Sequence, residues 1–98
     1  MILEVAILNI IPGKENAFEA DFKQAQNIIM SSAGYISHEL QHCIEDNSRY
    51  ILLVRWTSLE DHTEGFRKSK EYQKWKSMLH HYYKPFPNVE HYEMIFSH

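Results

Sequence analysis

Two hydrophobic rhythms divide the chain. Residues 2–10 (ILEVAILNI) are apolar on both faces, with only Glu4 and Asn9 polar, as in a central strand buried on two sides. Pro12-Gly13 closes that strand with a turn. From residue 14 to 31 the period becomes helical. Phe18, Phe22, Ala25 and Ile29 form one apolar stripe, and Glu15, Glu19, Asp21 and Lys23 lie off it. Ser31, Ser32 and Gly34 end the helix, with Gly34 expected near its C-cap.

Residues 35–43 (YISHELQHC) return to alternation. Ile36, His38, Leu40 and His42 are placed on one face, and Tyr35, Ser37, Glu39, Gln41 and Cys43 on the other. Glu45 to Ser48 is a turn cluster and residues 49–56 (RYILLVRW) a third strand, so 35–56 reads as a hairpin. Ser58 suits an N-cap with acidic residues in the first turn, and the helical pattern pauses between Gly65 and Ser69. Ser69 caps a second helix with Tyr72, Trp75, Leu79 and Tyr82 on one face. Pro85 and Pro87 break the chain, and residues 88–96 (NVEHYEMIF) are expected to form the last strand.

The order βαββαβ needs right-handed crossovers. Its simplest solution is one α+β domain over residues 1–98, ferredoxin-like, with a four-stranded antiparallel sheet in spatial order 4-1-3-2 and both helices on one face. The opposite face would be bare and would carry the apolar groups of strands one and three. A chain of 98 residues buries a modest core alone, so a second copy packed sheet to sheet is expected, a homodimer. The alternative is a monomer with a partly polar open face.

Charge narrows the functional classes. The net charge is -3 and no run of Lys or Arg stands out, which argues against nucleic acid as a partner. Lys68, Lys70, Lys74 and Lys76 are interleaved with Glu71 and read as a solvated helix face. The single cysteine, Cys43, forbids an internal disulfide and fits a reducing, cytoplasmic setting; it reads as an inert thiol. The apolar opening is too short, and too interrupted by Glu4 and Asn9, to cross a membrane.

The density of histidine and tyrosine towards the end of the chain offers chemistry: His80, His81, Tyr82, Tyr83, His91 and Tyr92. Histidine moves protons near neutral pH, and tyrosine donates to a developing oxyanion. His80 or His81 is the candidate base, with Tyr82 or Tyr83 orienting a substrate. The plainer role is to cover the end of the helix, where histidine also suits the helix dipole. Trp56, Phe66, Tyr72 and Trp75 are candidate walls of an aromatic pocket, with His62 at its mouth and His91 nearby. At these spacings core packing, or a helix surface for His62, is the commoner use. Arg55 suits a substrate carboxylate or an ion pair with Glu. His38 and His42 are roughly 13 Å apart at strand spacing, too far to share a metal, and no metal-ligand motif appears.

The opening ILEVAILNIIPGKENAFEADF, the hairpin ending LLVRW, the stretch TSLEDHTEGFRKSKEYQKW and the tail PFPNVEHYEMIF together resemble the antibiotic biosynthesis monooxygenase family of the dimeric α+β barrel superfamily. The resemblance covers essentially the whole chain and is strongest around Trp56, Phe66 to Ser69 and Tyr72. It implies either a cofactor-independent monooxygenase of polyketide quinols or a heme-degrading enzyme. The heme-degrading branch uses an Asn, a Trp and a His whose positions here fall near Ala6, on Phe66 and near Lys76, so that activity is not carried over. The implied protein is a homodimeric monooxygenase with no cofactor or metal, acting on a small aromatic or quinol-like compound. His80, His81 and Tyr83 would be catalytic, and Trp56, His62, Phe66, Tyr72, Trp75 and His91 would line the pocket. The alternatives are a non-catalytic dimer that binds a small apolar or aromatic molecule, and a heme binder without degradation.

Overall fold

The computed structural model describes all residues 1–98. Its elements run β1 (Ile2–Asn9), α1 (Glu15–Met30), β2 (Tyr35–His42), β3 (Arg49–Trp56), a π-helical turn (Asp61–Phe66), α2 (Lys70–Leu79), a 3₁₀ turn (His80–Tyr82) and β4 (Val89–Tyr92). The sheet order is β2-β3-β1-β4, all neighbours antiparallel, as the strand and helix pattern predicts. The chain therefore has the ferredoxin-like α+β fold, with both helices packed on one face.

Strand parity decides which side chains meet the helices. Glu4, Ala6 and Leu8 of β1 and Tyr50, Leu52, Val54 and Trp56 of β3 point inward and are buried. Phe18, Phe22, Ala25 and Ile29 of α1 cover them, together with Trp75 and Leu79 of α2. Each large apolar side chain buried this way contributes roughly 1.5–3 kcal/mol. Tyr50 and Tyr82 send their hydroxyls to Glu19 (2.5 Å) and Asp21 (2.6 Å), so α1 is tied to β3 and to the 3₁₀ turn by polar bonds as well.

Both expected caps are present. Ser58 Oγ accepts from the Asp61 N–H while the Asp61 carboxylate accepts from the Ser58 N–H, a reciprocal box. Ser69 Oγ accepts from the Tyr72 N–H and starts α2.

Three expectations need correction. A bulge at Tyr35/Ser37 sets two residues of β2 against one of β3. Tyr35 thereby joins the inward side with His38, which bonds both its hydroxyl and Gln26 of α1, and Ile36 is turned outward. The last strand stops at Tyr92 instead of residue 96. Tyr92 lies opposite Leu3 near the start of β1, so Met94, Ile95 and Phe96 have little neighbouring strand to pair with and are 63–87% exposed. Gly34 is not the helix cap, since α1 ends at Met30. It sits in the turn before β2 with φ +81°, where a β-carbon would run into the Asp61 side chain.

Gly13 also has positive φ (+92°) but faces open space. Gly13→Ala should therefore cost only the left-handed backbone term, about 1 kcal/mol. Gly34→Ala should cost about 2 kcal/mol or more, because the Asp61–Ser58 box must also give way. Urea midpoints of the two variants check this; equal losses would refute the role given to Asp61.

Candidate active site

Between the sheet and α2 lies a cavity of about 570 Å³. Glu4, Ala6 and Leu8 of β1 and Leu52 of β3 form its floor; Phe66, Tyr72, Trp75, His80 and Tyr83 form its walls; Phe86 to Val89 close one side. Of the residues singled out from sequence, the fold brings His62, Phe66, Tyr72, Trp75, His80 and Tyr83 together on this cavity.

Three others are placed elsewhere. His81 is solvent-exposed and lies against the Tyr82 ring, centroids 4.1 Å apart. In a 3₁₀ turn successive side chains diverge by about 120°, so His80 points to the cavity, Tyr82 to α1 and His81 to water. Trp56 is fully buried behind the wall, because its indole N–H is committed to Glu4 Oε1 at 2.9 Å. His91 stands at the rim on edge strand β4, with Nε2 2.8 Å from His62 Nδ1.

His62 is neither a pocket-mouth nor a surface residue. The π-helical turn places it and Phe66 on the same inward face, and its wide i−5 bond is visible from the Arg67 N–H to the His62 carbonyl (3.0 Å). The ring is 3% exposed and stacks on Trp56 with centroids 5.2 Å apart. Its Nε2 lies 3.3 Å from Glu4 Oε1.

Glu4 and Arg67 join the site although neither carries a motif that marks it in the sequence. Glu4 is 5% exposed, on the cavity floor. Burial pushes its carboxyl up to about 7, against the opposing pull of the Trp56 N–H and the Arg67 guanidinium at the mouth. Burial likewise drives His62 down to about 3, with Arg67 and His91 adding to the effect. Glu4 and His62 are thus not a standing ion pair; near neutrality the imidazole is uncharged. His80 is also held down to about 4, by burial and then by Lys76, and its buried Nδ1 has no hydrogen-bond partner. Tyr83 is raised by burial and by the nearby Tyr72 and Glu4, so its hydroxyl remains a donor. Ala6 and Phe66 line the cavity, and Lys76 is an exposed cation.

The model of the family described as "Antibiotic biosynthesis monooxygenase" matches residues 1–78. The chain belongs to this family. Among its relatives, the uncharacterized protein YczJ of Bacillus subtilis (strain 168) is 54% identical over 95 residues, which is 97% of this chain and 100% of that one. A crystal structure from Bordetella bronchiseptica, of a protein bearing the same family name, superposes with a TM-score of 0.92 at 32% identity over 97% of both chains. SnoaB, a cofactor-independent oxygenase from Streptomyces nogalater, shares the fold (TM-score 0.78) at 14% identity, over 98% of this chain and 94% of that one. No helix of this family member is long and apolar enough to cross a membrane.

The raised Glu4 carboxyl has a thermodynamic signature. The folded state keeps this proton between about 4.5 and 7 while the unfolded chain releases it, so stability falls as pH rises through that window. The size is about 3 kcal/mol at most. His62 acts in the opposite sense, its depressed value removing stability as pH falls below 6.5. Glu4→Gln isolates the first effect: it should match the wild type below pH 4.5 and exceed it at pH 8 by about 1–3 kcal/mol in urea denaturation. A variant no more stable than the wild type at pH 8 would contradict the buried charge.

Proposed function

We propose that this protein is a cytoplasmic homodimeric monooxygenase that uses no cofactor and oxidises a small hydroxylated aromatic compound of the quinol type. The observation that carries this reading is the cavity, part aromatic and part polar, with His80 on its wall and the carboxyl of Glu4 on its floor, and with the buried Nδ1 of that histidine lacking a partner. A buried polar atom without a partner costs free energy, and a turn of the ring that opens it to a substrate hydroxyl would relieve that cost. A ring with two hydroxyls can donate one to His80 and present the other to Glu4, with Tyr83 and Tyr72 as neutral donors beside it. The aromatic walls of Phe66, Trp75 and Phe86 suit a flat ring.

The chemistry balances without a redox group. A hydroquinone and dioxygen give a hydroxyquinone and water: the substrate supplies four electrons, one oxygen atom enters the ring and the other leaves as water. Deprotonation makes the ring electron-rich, and the protein's task is to bind, deprotonate and exclude water. Family membership supports the reaction class, and the single cysteine supports the compartment.

Dimer formation is supported by the bare sheet face. Val5 lies opposite Leu53 and Ile7 opposite Ile51, an outward apolar strip flanked by Glu39, Gln41 and Glu90. Leu53→Asp should leave the helix-facing core intact and shift the protein from dimer to monomer in analytical ultracentrifugation. A wild-type protein that sediments as a monomer at high concentration would overturn this part of the reading.

Oxygen consumption with a panel of one- and two-ring hydroquinones tests the activity. His80→Ala should lower kcat/KM more than about tenfold, whereas His81→Ala, at an exposed position, should leave it within about twofold. Saturable binding of the same compounds without oxygen uptake would favour a non-catalytic binding protein instead.

A further inference from the structure

Glu4 and His91 are register partners on the adjacent strands β1 and β4. His62 comes down from the π-helical turn and touches both: Nε2 at 3.3 Å from Glu4 Oε1, Nδ1 at 2.8 Å from His91 Nε2. The three groups form a continuous line. One end, Glu4, is on the floor of the cavity; the other, His91, is half-buried at the sheet edge. Both ring nitrogens of His62 are engaged with titratable groups, which is the arrangement that lets a ring take a proton on one side and release one from the other.

We propose that Glu4, His62 and His91 form a proton relay between the cavity and solvent, with Glu4 as the group that receives the proton of a bound hydroxyaromatic. The last clause rests on the function proposed above; the relay itself does not.

The step is proton transfer only. At rest Glu4 holds a proton, which passes to His62 Nε2 as the proton on His62 Nδ1 moves to His91 Nε2 and that on His91 Nδ1 moves to water. The substrate O–H bond then breaks, the oxygen keeps the electron pair as an aryloxide, and the proton passes to the Glu4 carboxylate so formed. One proton leaves the cavity, and each imidazole is neutral before and after. The chain is left with reversed polarity, so it is set to carry a proton back when the reduced oxygen must leave as water.

The surroundings suit this use better than a purely structural one. A carboxyl serving only to satisfy Trp56 could be replaced by a neutral amide without the cost of burying a charge. Burial raises Glu4 to about 7 and lowers both imidazoles, so no member is locked in a charged form near neutrality. The charged and titratable groups facing the line are few: Arg67 from the end of the π-helical turn, Tyr72 from α2 and Tyr83 after the 3₁₀ turn, with the neutral Trp56 N–H from β3. Arg67 is the cation placed to steady the aryloxide left behind.

The test begins without substrate. Nitrogen-15 NMR of the imidazole rings, followed from pH 5 to 9, should show His62 and His91 changing tautomer together near pH 7. Both should go from Nδ1–H with protonated Glu4 to Nε2–H with the carboxylate, and Glu4→Gln should abolish the change. Two rings with fixed tautomers, or with unrelated midpoints, would overturn the relay. A second arm uses oxygen uptake with 1,4-naphthohydroquinone. Glu4→Gln should reduce kcat about 100-fold or more with KM little changed. His91→Gln, at the half-buried end, should reduce kcat about tenfold and alter its pH profile, an effect a packing role would not produce. If both variants turn over at the wild-type rate, Glu4 is not the acceptor and the catalytic part falls. If the wild type consumes no oxygen with any hydroquinone, the proposed function fails while the NMR result still decides the relay.

Discussion

Charging a carboxyl inside a sheet of aliphatic strands costs several kcal/mol, and the inner half of this protein is arranged around that cost at Glu4. Trp56 gives up its indole N–H to Glu4 and is therefore held behind the cavity wall instead of in it. The fixed indole then presents a face on which His62 stacks, and His62 in turn holds His91 of the edge strand. If Glu4 were apolar, the Trp56 N–H would be a buried orphan and His62 would have only one partner. The positions of an aromatic wall, a helical turn and an edge strand thus all follow from one acidic residue facing inward.

Two short departures from α-helical geometry do the rest. The π-helical turn brings His62 and Phe66 to the inward face, and the 3₁₀ turn sends His80, His81 and Tyr82 in three directions. Between them α2 presents Tyr72 and Trp75 at ordinary helical spacing. The cavity is therefore bounded by regular elements but furnished by irregular ones, which matches the general tendency of functional side chains to sit on loops and turns held by a rigid scaffold.

This division explains what could be read from sequence. Strand alternation and the Phe18–Phe22–Ala25–Ile29 stripe are periodic, so element order, sheet order and the helix-facing core were legible. So were the caps at Ser58 and Ser69, because a capping hydroxyl has a fixed offset from the bond it accepts. The directions of His80 and His81 were not, since no periodicity separates neighbours inside a three-residue turn. The bulge that turned Tyr35 inward left no mark on the alternation of YISHELQH either. Glu4 did leave a signal. It shares parity with Ala6 and Leu8, which face the helices, so a carboxylate there had to be buried. That clue was visible as soon as the inward face of the first strand was known.

The wide turn at Asp61–Phe66 holds one residue more than an α-helical turn would need. Loss of a single residue from this stretch would restore ordinary helix and swing His62 about a quarter of the way round the axis, away from Glu4 and His91. Chain length in these six positions is therefore a discrete setting for the buried network. Homologues of the same fold that differ there by one residue would keep the scaffold and lose the connection, a route by which the family could change chemistry through an indel without a single substitution in the pocket.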